Sequence, residues 1–270
     1  MAENNDPTPD RLSGAELVNP YSTDGEGKTR QVERMFDSIA PAYDFMNLAM
    51  TLGLCTRWRN QALDLVEQVL LRAGRPTPAN VLDVATGTGD VAFEMARRWP
   101  AARITGVDLS ARMLRVAEKK LETAHSLMSR RITFTQGDCL QLPFPDNSFD
   151  LVTVAYGVRN FEHLSQGYAE MLRVLKPKGI LCVIELSRPE GSLTAPLYDF
   201  YSRMLIPLAG RLVSGDPRAY TYLPESIAAA PQRADMCAIM NQAGFHGCVW
   251  KSLTFGAVTI YLACKRADNL

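Results

Sequence analysis

A glycine turn follows directly on an apolar run at Leu82-Asp83-Val84-Ala85-Thr86-Gly87-Thr88-Gly89-Asp90, and a second acid, Asp108, closes the later run Gly106-Val107-Asp108. No other stretch constrains the fold as tightly. Strand, glycine turn, helix, strand, acid is a half-fold that cradles a nucleoside. Gly87 and Gly89 remove the side chains that would keep the backbone away from a ligand, and Asp108 can accept from both ribose hydroxyls. The spacing alone leaves open which nucleoside.

The same alternation continues along the chain. Asn80 to Val84, Arg103 to Val107, Ile132 to Thr135, Phe149 to Ala155 and Ile180 to Glu185 read as strands. Helical periodicity fills the gaps: Val91 to Trp99 with Asp90 as its cap, a segment capped by Ser110 with Met113, Leu114, Ala117 and Leu121 on one face, and Leu164 to Leu175 stopped by Lys176-Pro177-Lys178-Gly179. After Ala195 comes a helix-rich insert, then a helix over Gln232 to Ala243, and Val249 to Cys264 folds back as a hairpin about Phe255-Gly256. These elements predict an α/β fold with a mostly parallel seven-stranded sheet, a C-terminal antiparallel hairpin and a helical cap.

Composition narrows the partners. Lys and Arg total 29 against 29 Asp and Glu, so no basic field favours nucleic acid. No apolar run reaches the length of a membrane span. Six scattered cysteines without a CxxC pair fit reduced core thiols in a cytoplasmic protein, and with three histidines and no ligand cluster no metal is expected. Residues 1–30 are polar and proline-containing and read as a disordered tail; residues 31–270 read as one domain, with segments 31–75 and 195–230 that the resemblance given below would make a helical lid and an insert over the active site.

Dehydrogenases and methyltransferases both use a glycine turn with a distal acid. The dinucleotide fingerprint wants a third glycine at a pyrophosphate-binding helix, and here that position is Ala92. A later acidic turn, Gln136-Gly137-Asp138-Cys139, follows the third strand, and Cys139 there offers its backbone amide in preference to its weakly donating thiol; a resemblance to the class I methyltransferases would set Asp138 against an adenine amino group. Thr88 could give its hydroxyl to the cofactor or to its own turn. Isolated acids such as Asp83 and Asp138 cap turns about as often as they bind ligands; set together with Asp108 they favour a site.

Three further segments carry a resemblance: Met35 to Asn47 within Val32 to Arg59; Tyr156-Gly157-Val158-Arg159-Asn160; and Ser214 to Ser226, with Ala219-Tyr220-Thr221-Tyr222-Leu223-Pro224-Glu225-Ser226. Over about Val32 to Lys265 the chain resembles the ubiquinone/menaquinone-biosynthesis C-methyltransferases. The resemblance implies a class I S-adenosylmethionine-dependent, Rossmann-like fold, with S-adenosyl-L-methionine held by Asp83, Gly87, Thr88, Gly89, Asp108, Asp138 and Cys139. It implies C-methylation of a prenylated quinol, demethylmenaquinol first and a 2-methoxy-6-polyprenyl-1,4-benzoquinol second; outside the resemblance, the glycine turn alone leaves an NAD-dependent oxidoreductase as a remote alternative.

Within that resemblance Arg159 and Asn160 would face the quinol, with Tyr43 or Tyr156 a phenolic relay or a ring to stack on it. Arginine stays protonated, so Arg159 would hold a phenolate or orient a water and would not itself be the base. The apolar and basic insert from Pro196 to Leu223 suits an isoprenoid tail and a peripheral contact with the inner face of a membrane. A homodimer stays open. One departure from relatives is Ala155, where many have serine.

Overall fold

The computed structural model describes residues 14–21, 25–124, 126–191, 194–200 and 217–267. The expectations for residues 201–216, including much of the insert and Ser214-Gly215-Asp216, lie outside the described residues.

The strands are β1 (Asn80–Val84), β2 (Arg103–Asp108), β3 (Ile132–Gln136), β4 (Phe149–Ala155), β5 (Leu175–Leu186), β6 (His246–Leu253) and β7 (Val258–Cys264). They form a seven-stranded sheet in the order β3-β2-β1-β4-β5-β7-β6. Pairings from β3 across to β5 are parallel, while β7 runs antiparallel to both β5 and β6. The sheet is the one the alternation predicts. Val81, Leu82, Asp83 and Val84 of β1 are all buried, because helices cover both faces.

Among the described residues the α-helices are α1 (Gly14–Leu17), α2 (Lys28–Ile39), α3 (Tyr43–Thr51), α4 (Leu54–Arg72), α5 (Asp90–Arg98), α6 (Ala111–Thr123), α7 (Ser126–Ser129), α8 (Leu164–Val174), α9 (Thr194–Phe200), α10 (Pro217–Ala229) and α11 (Ala234–Gln242). On one face α4 buries Cys55, Trp58, Ala62, Leu63, Val66 and Leu70 at helical spacing, and α5 adds Val91, Ala92 and Met95. Each such fully buried aliphatic is worth about 1.5–3 kcal/mol. On the other face α8 and α11 pack Tyr168, Met171, Met236 and Met240. A third cluster lies over the carboxyl ends of the strands, where α2, α3, α6 and α10 bring together Met35, Ile39, Met46, Met113, Tyr220 and Tyr222.

Ser110 caps α6 as expected, accepting from the Met113 amide at 3.1 Å. Asp90 does not cap α5. Gly89 takes the cap position at φ 83°, and the Asp90 carboxylate instead pairs with Arg59 at 3.1 Å and Lys120 at 2.9 Å. Nor does Lys176-Pro177-Lys178-Gly179 separate helix from strand: α8 ends at Val174 and the run is the irregular start of β5, with Lys178 at φ 64° and Phe149↔Leu175 followed by Leu151↔Ile180 in the register.

Two other expectations fail. The tail read as disordered is folded at residues 14–21 and 25–30. The Glu16 carboxylate accepts from the Leu164 amide at 2.6 Å, the buried Lys28 ammonium donates to the Ala15 carbonyl at 2.5 Å, and Arg218 donates to the Pro20 carbonyl at 2.6 Å. Polar composition hid these long-range partners. The cysteines are not all free: Cys237 of α11 and Cys248 of β6 form a disulfide, their Cα atoms 5.5 Å apart, because helix and strand pack directly on one another.

Candidate active site

Strand order reverses between β1 and β4, and the crevice at the carboxyl ends of these strands is where open sheets of this kind bind ligands. The turn after β1 is built from left-handed residues: Ala85 at φ 51°, Gly87 at φ 57° and Gly89 at φ 83°. The Gly87 amide donates to one Asp108 oxygen at 2.7 Å and the Ser110 amide to the other at 2.8 Å, which fixes that carboxylate at the tip of β2. Burial nonetheless pushes the Asp108 carboxyl up to about 6, outweighing those two donors.

The predicted cofactor residues divide in two. Gly87, Asp108, Asp138 and Cys139 line one groove together with Asn160. Asp138 caps its own turn, accepting from the Leu140 amide at 2.8 Å, while lining that groove. Burial pushes the Cys139 thiol well up, so the thiol stays neutral and its main chain is the polar group on offer.

Asp83, Thr88 and Gly89 do not line the groove. Asp83 accepts from the Thr86 and Thr153 hydroxyls, both at 2.6 Å, and burial first of all pushes it up to about 6; it staples the glycine turn to β4. The Thr88 hydroxyl donates to Asp44 at 2.5 Å, tying α3 to the turn. A Cβ on Gly89 would stand 2.8 Å from Phe134 Cζ, so this glycine permits close packing of α5 on the sheet.

Beside the groove lies a cavity of about 620 Å³, lined mostly by apolar side chains of α2 to α4, α10 and the β6–β7 turn. Phe36, Tyr43 and Tyr156 line both spaces and form the partition between them. Arg159 lines the cavity and Asn160 the groove, so the two neighbours in sequence address different compartments.

Arg159 is buried and ion-paired with Glu185 at 2.7 Å, its backbone amide donates to the same carboxylate at 3.3 Å, and its guanidinium also donates to the Tyr156 carbonyl. Burial alone would lower its pKa; Glu185, with Tyr43 and Tyr222, reverses that and raises it, so Arg159 is a permanent cation. Burial raises Tyr43, Tyr156 and Tyr222 as well, which makes all three phenols donors and not bases. Among the described residues, Arg159 Nε, the Tyr156 and Tyr222 hydroxyls and Asn160 Oδ1 are buried without a hydrogen-bond partner. Buried polar atoms are rarely left so, and four around one crevice mark a polar ligand.

Sequence reasoning missed Glu185 and Lys28. A lone acid in the apolar run Ile180 to Leu186 was the available signal for Glu185. Lys28, whose ammonium reaches the Ala15 and Arg159 carbonyls, carries no local signature. Among the described residues no group of His, Cys, Asp and Glu could hold a metal ion, and no helix is long and apolar enough to cross a membrane.

The model of the ubiE/COQ5 methyltransferase family matches residues 24–265. A demethylmenaquinone methyltransferase of Porphyromonas gingivalis is 44% identical over 255 residues, covering 94% of this chain and 100% of that protein. One of Deinococcus radiodurans is 41% identical over 247 residues, 92% of this chain and 98% of that protein. A ubiquinone/menaquinone biosynthesis C-methyltransferase of Syntrophotalea carbinolica is 43% identical over 231 residues, 86% and 92%. Among solved structures, a SAM-dependent methyltransferase of Thermotoga maritima, described as a possible histamine N-methyltransferase, superposes with TM-score 0.58 at 18% identity, covering 87% of this chain and 99% of that one. The cyclase SpnF does so with TM-score 0.57 at 20% identity, 89% and 97%. Likeness at that distance shows the fold alone.

Proposed function

The chain belongs to the ubiE/COQ5 methyltransferase family, and on that premise we propose that it transfers a methyl group from S-adenosylmethionine to a ring carbon of demethylmenaquinol, yielding menaquinol. The observation that carries this reading is Arg159, a buried cation locked by Glu185 where a nucleoside-type groove meets a large apolar cavity. A prenylated quinol needs such a combination: apolar volume for ring and tail, and polar donors for two ring oxygens.

The groove fits the cofactor's nucleoside. Asp108 would accept from the ribose hydroxyls, Asp138 from the adenine amino group, and the Cys139 amide would donate to the ring, while Gly87 leaves the turn bare. When bound, S-adenosylmethionine supplies an electrophilic methyl on a sulfonium. Asp83, Thr88 and Gly89 support this site indirectly, through the turn they hold.

In the cavity, Arg159 stabilises negative charge on a quinol oxygen as its proton passes to an oriented water, and that charge raises electron density on the adjacent ring carbon that receives the methyl. Tyr156 and Tyr222 offer donors to the oxygens, Asn160 orients from the groove side, and Tyr43 with Phe36 closes the partition against water. The ring proton leaves last and the ring oxygen takes a proton back from water, so one proton is released overall and the aromatic quinol is restored. The chemistry is proton removal beside a fixed cation, with no tyrosinate required.

The test is to incubate the purified protein with labelled S-adenosylmethionine and each reduced demethylquinone in detergent, and to identify the product by mass. Methylation of the naphthoquinol in preference to the 2-methoxy-6-polyprenyl benzoquinol is expected, with S-adenosylhomocysteine binding and no NAD binding. Arg159→Ala should keep S-adenosylhomocysteine affinity within about twofold while losing about a hundredfold or more in methyl transfer, the usual scale for removing one donor to a developing anion. Wild-type turnover in that variant would refute the role given to Arg159.

A further inference from the structure

The mouth of the apolar cavity carries large apolar side chains set out in water. Leu52 is 87% exposed and Phe255 84%, and both line the cavity. Outward from Leu52 along one face of α3 stand Leu48 at 56% and Phe45 at 61%. Leu52 at φ 49° and Phe255 at φ 57° hold left-handed backbone, which costs a non-glycine residue about 1–2 kcal/mol. Strain that fixes two apolar side chains outward at a cavity mouth points to an apolar phase beyond it.

The charges carried by the two rim segments themselves share one sign. From residue 45 to residue 63 there is no acid, and Arg57 and Arg59 are the charged side chains; from residue 250 to residue 256 Lys251 is the charged one. Arg57 and Lys251 are exposed, and Arg59 pairs with Asp90. Trp58 donates to the Thr254 hydroxyl at 2.8 Å, joining the start of α4 to the β6–β7 turn. Lys251 pairs in register with Ile260, on the sheet face that α4 covers. The neighbouring acids are engaged elsewhere: Asp44 with Lys120 and Thr88, and Glu190 with Arg233.

We propose that this rim, α3 together with the β6–β7 turn, docks the protein on an anionic lipid bilayer, with the cavity mouth facing the lipid. Phe45, Leu48, Leu52 and Phe255 enter the headgroup and acyl boundary, and Arg57 and Lys251 meet the phosphates. A second copy of the chain is the poorer occupant, since a self-facing rim would set cation against cation. The purpose of the docking, delivery of a lipid-dissolved quinol without its tail crossing water, rests on the function proposed above.

The test is flotation of the full chain with phosphatidylglycerol/phosphatidylcholine vesicles and with phosphatidylcholine alone. Wild type is expected to partition onto the anionic vesicles and about tenfold less onto the neutral ones. F45S/L48S and R57E/K251E should each lose at least about tenfold of that binding. Both variants should melt as wild type and methylate a short-tailed, water-soluble demethylquinol at the wild-type rate, since none of the four residues lines the cavity or the groove. Failure of wild type to float, variants that float as well as wild type, or a dimer that F45S/L48S dissolves would overturn the docking. Loss of methylation on every quinol with flotation unchanged would refute the reaction and leave the docking standing.

Discussion

The Arg159–Glu185 pair shows how a single buried contact serves position and electrostatics together. Deleting one partner of such a pair leaves the other charge uncompensated, at a cost of about 3–5 kcal/mol. Glu185→Gln is therefore expected to lower the thermal midpoint by several degrees and slow methyl transfer, while S-adenosylhomocysteine titration stays near wild type because the groove is untouched. Asp108 makes a different prediction. Ribose hydroxyls need its carboxylate, and burial has pushed that group up to about 6. S-adenosylhomocysteine affinity should accordingly hold above pH 6 and fall about tenfold per unit below it, a slope that Asp108→Asn abolishes along with most of the affinity. A flat profile for wild type from pH 7 to pH 5 would remove Asp108 from that role. The acids of the groove were legible because turn and strand ends place them by spacing alone. Glu185 was not, since its partner lies 26 positions away and only the pairing of β4 with β5 brings the two together.

Among the elements, the turns after β1 and β4 are interlocked. A Cβ on Gly157 would stand 2.8 Å from the Ala85 Cβ and 3.0 Å from Val154. Gly157→Ala should thus cost about 1–3 kcal/mol by overpacking, and adding Ala85→Gly should return most of it; calorimetric unfolding of the two single variants and the double one gives the coupling directly. Ala85 and Gly157 are thereby two halves of one packed pair. The disulfide between α11 and β6 closes a short loop, a separation of 11 residues, so Cys237→Ser/Cys248→Ser should lose about 3 kcal/mol of stability with no change in S-adenosylhomocysteine affinity. Periodicity revealed β1 to β4 and helices α5, α6, α8 and α11 with ends within a residue or two, while β5 and β6 begin earlier than it indicated and the helices within residues 31–75 received no bounds from it. It could not reveal that Cys237 faces Cys248, or that residues 14–21 fold back, because both depend on packing between distant segments.

For the whole molecule, the buried acids set an unusual pH response. Asp83 and Asp108, each raised to about 6, favour protonation in the folded state, so stability should rise as pH falls from about 7 toward 4, by on the order of 3 kcal/mol per group at most. Asp150, Glu162 and Glu170 are lowered, so the stabilisation they give is held above about pH 4.5 and is lost as pH falls through and below it. Denaturant midpoints measured across pH 7 to 4.5 should therefore move opposite to cofactor affinity; midpoints falling with pH through that range would contradict the burial of the two acids. The sheet order has a further consequence, for synthesis. β6 precedes β7 in the chain yet reaches the sheet only through it, since β7 pairs with both β5 and β6. While β7 is still inside the ribosome, β5 presents an open edge and β6 has no strand to join, so the β6–β7 side of the cavity rim closes only after translation has passed Cys264.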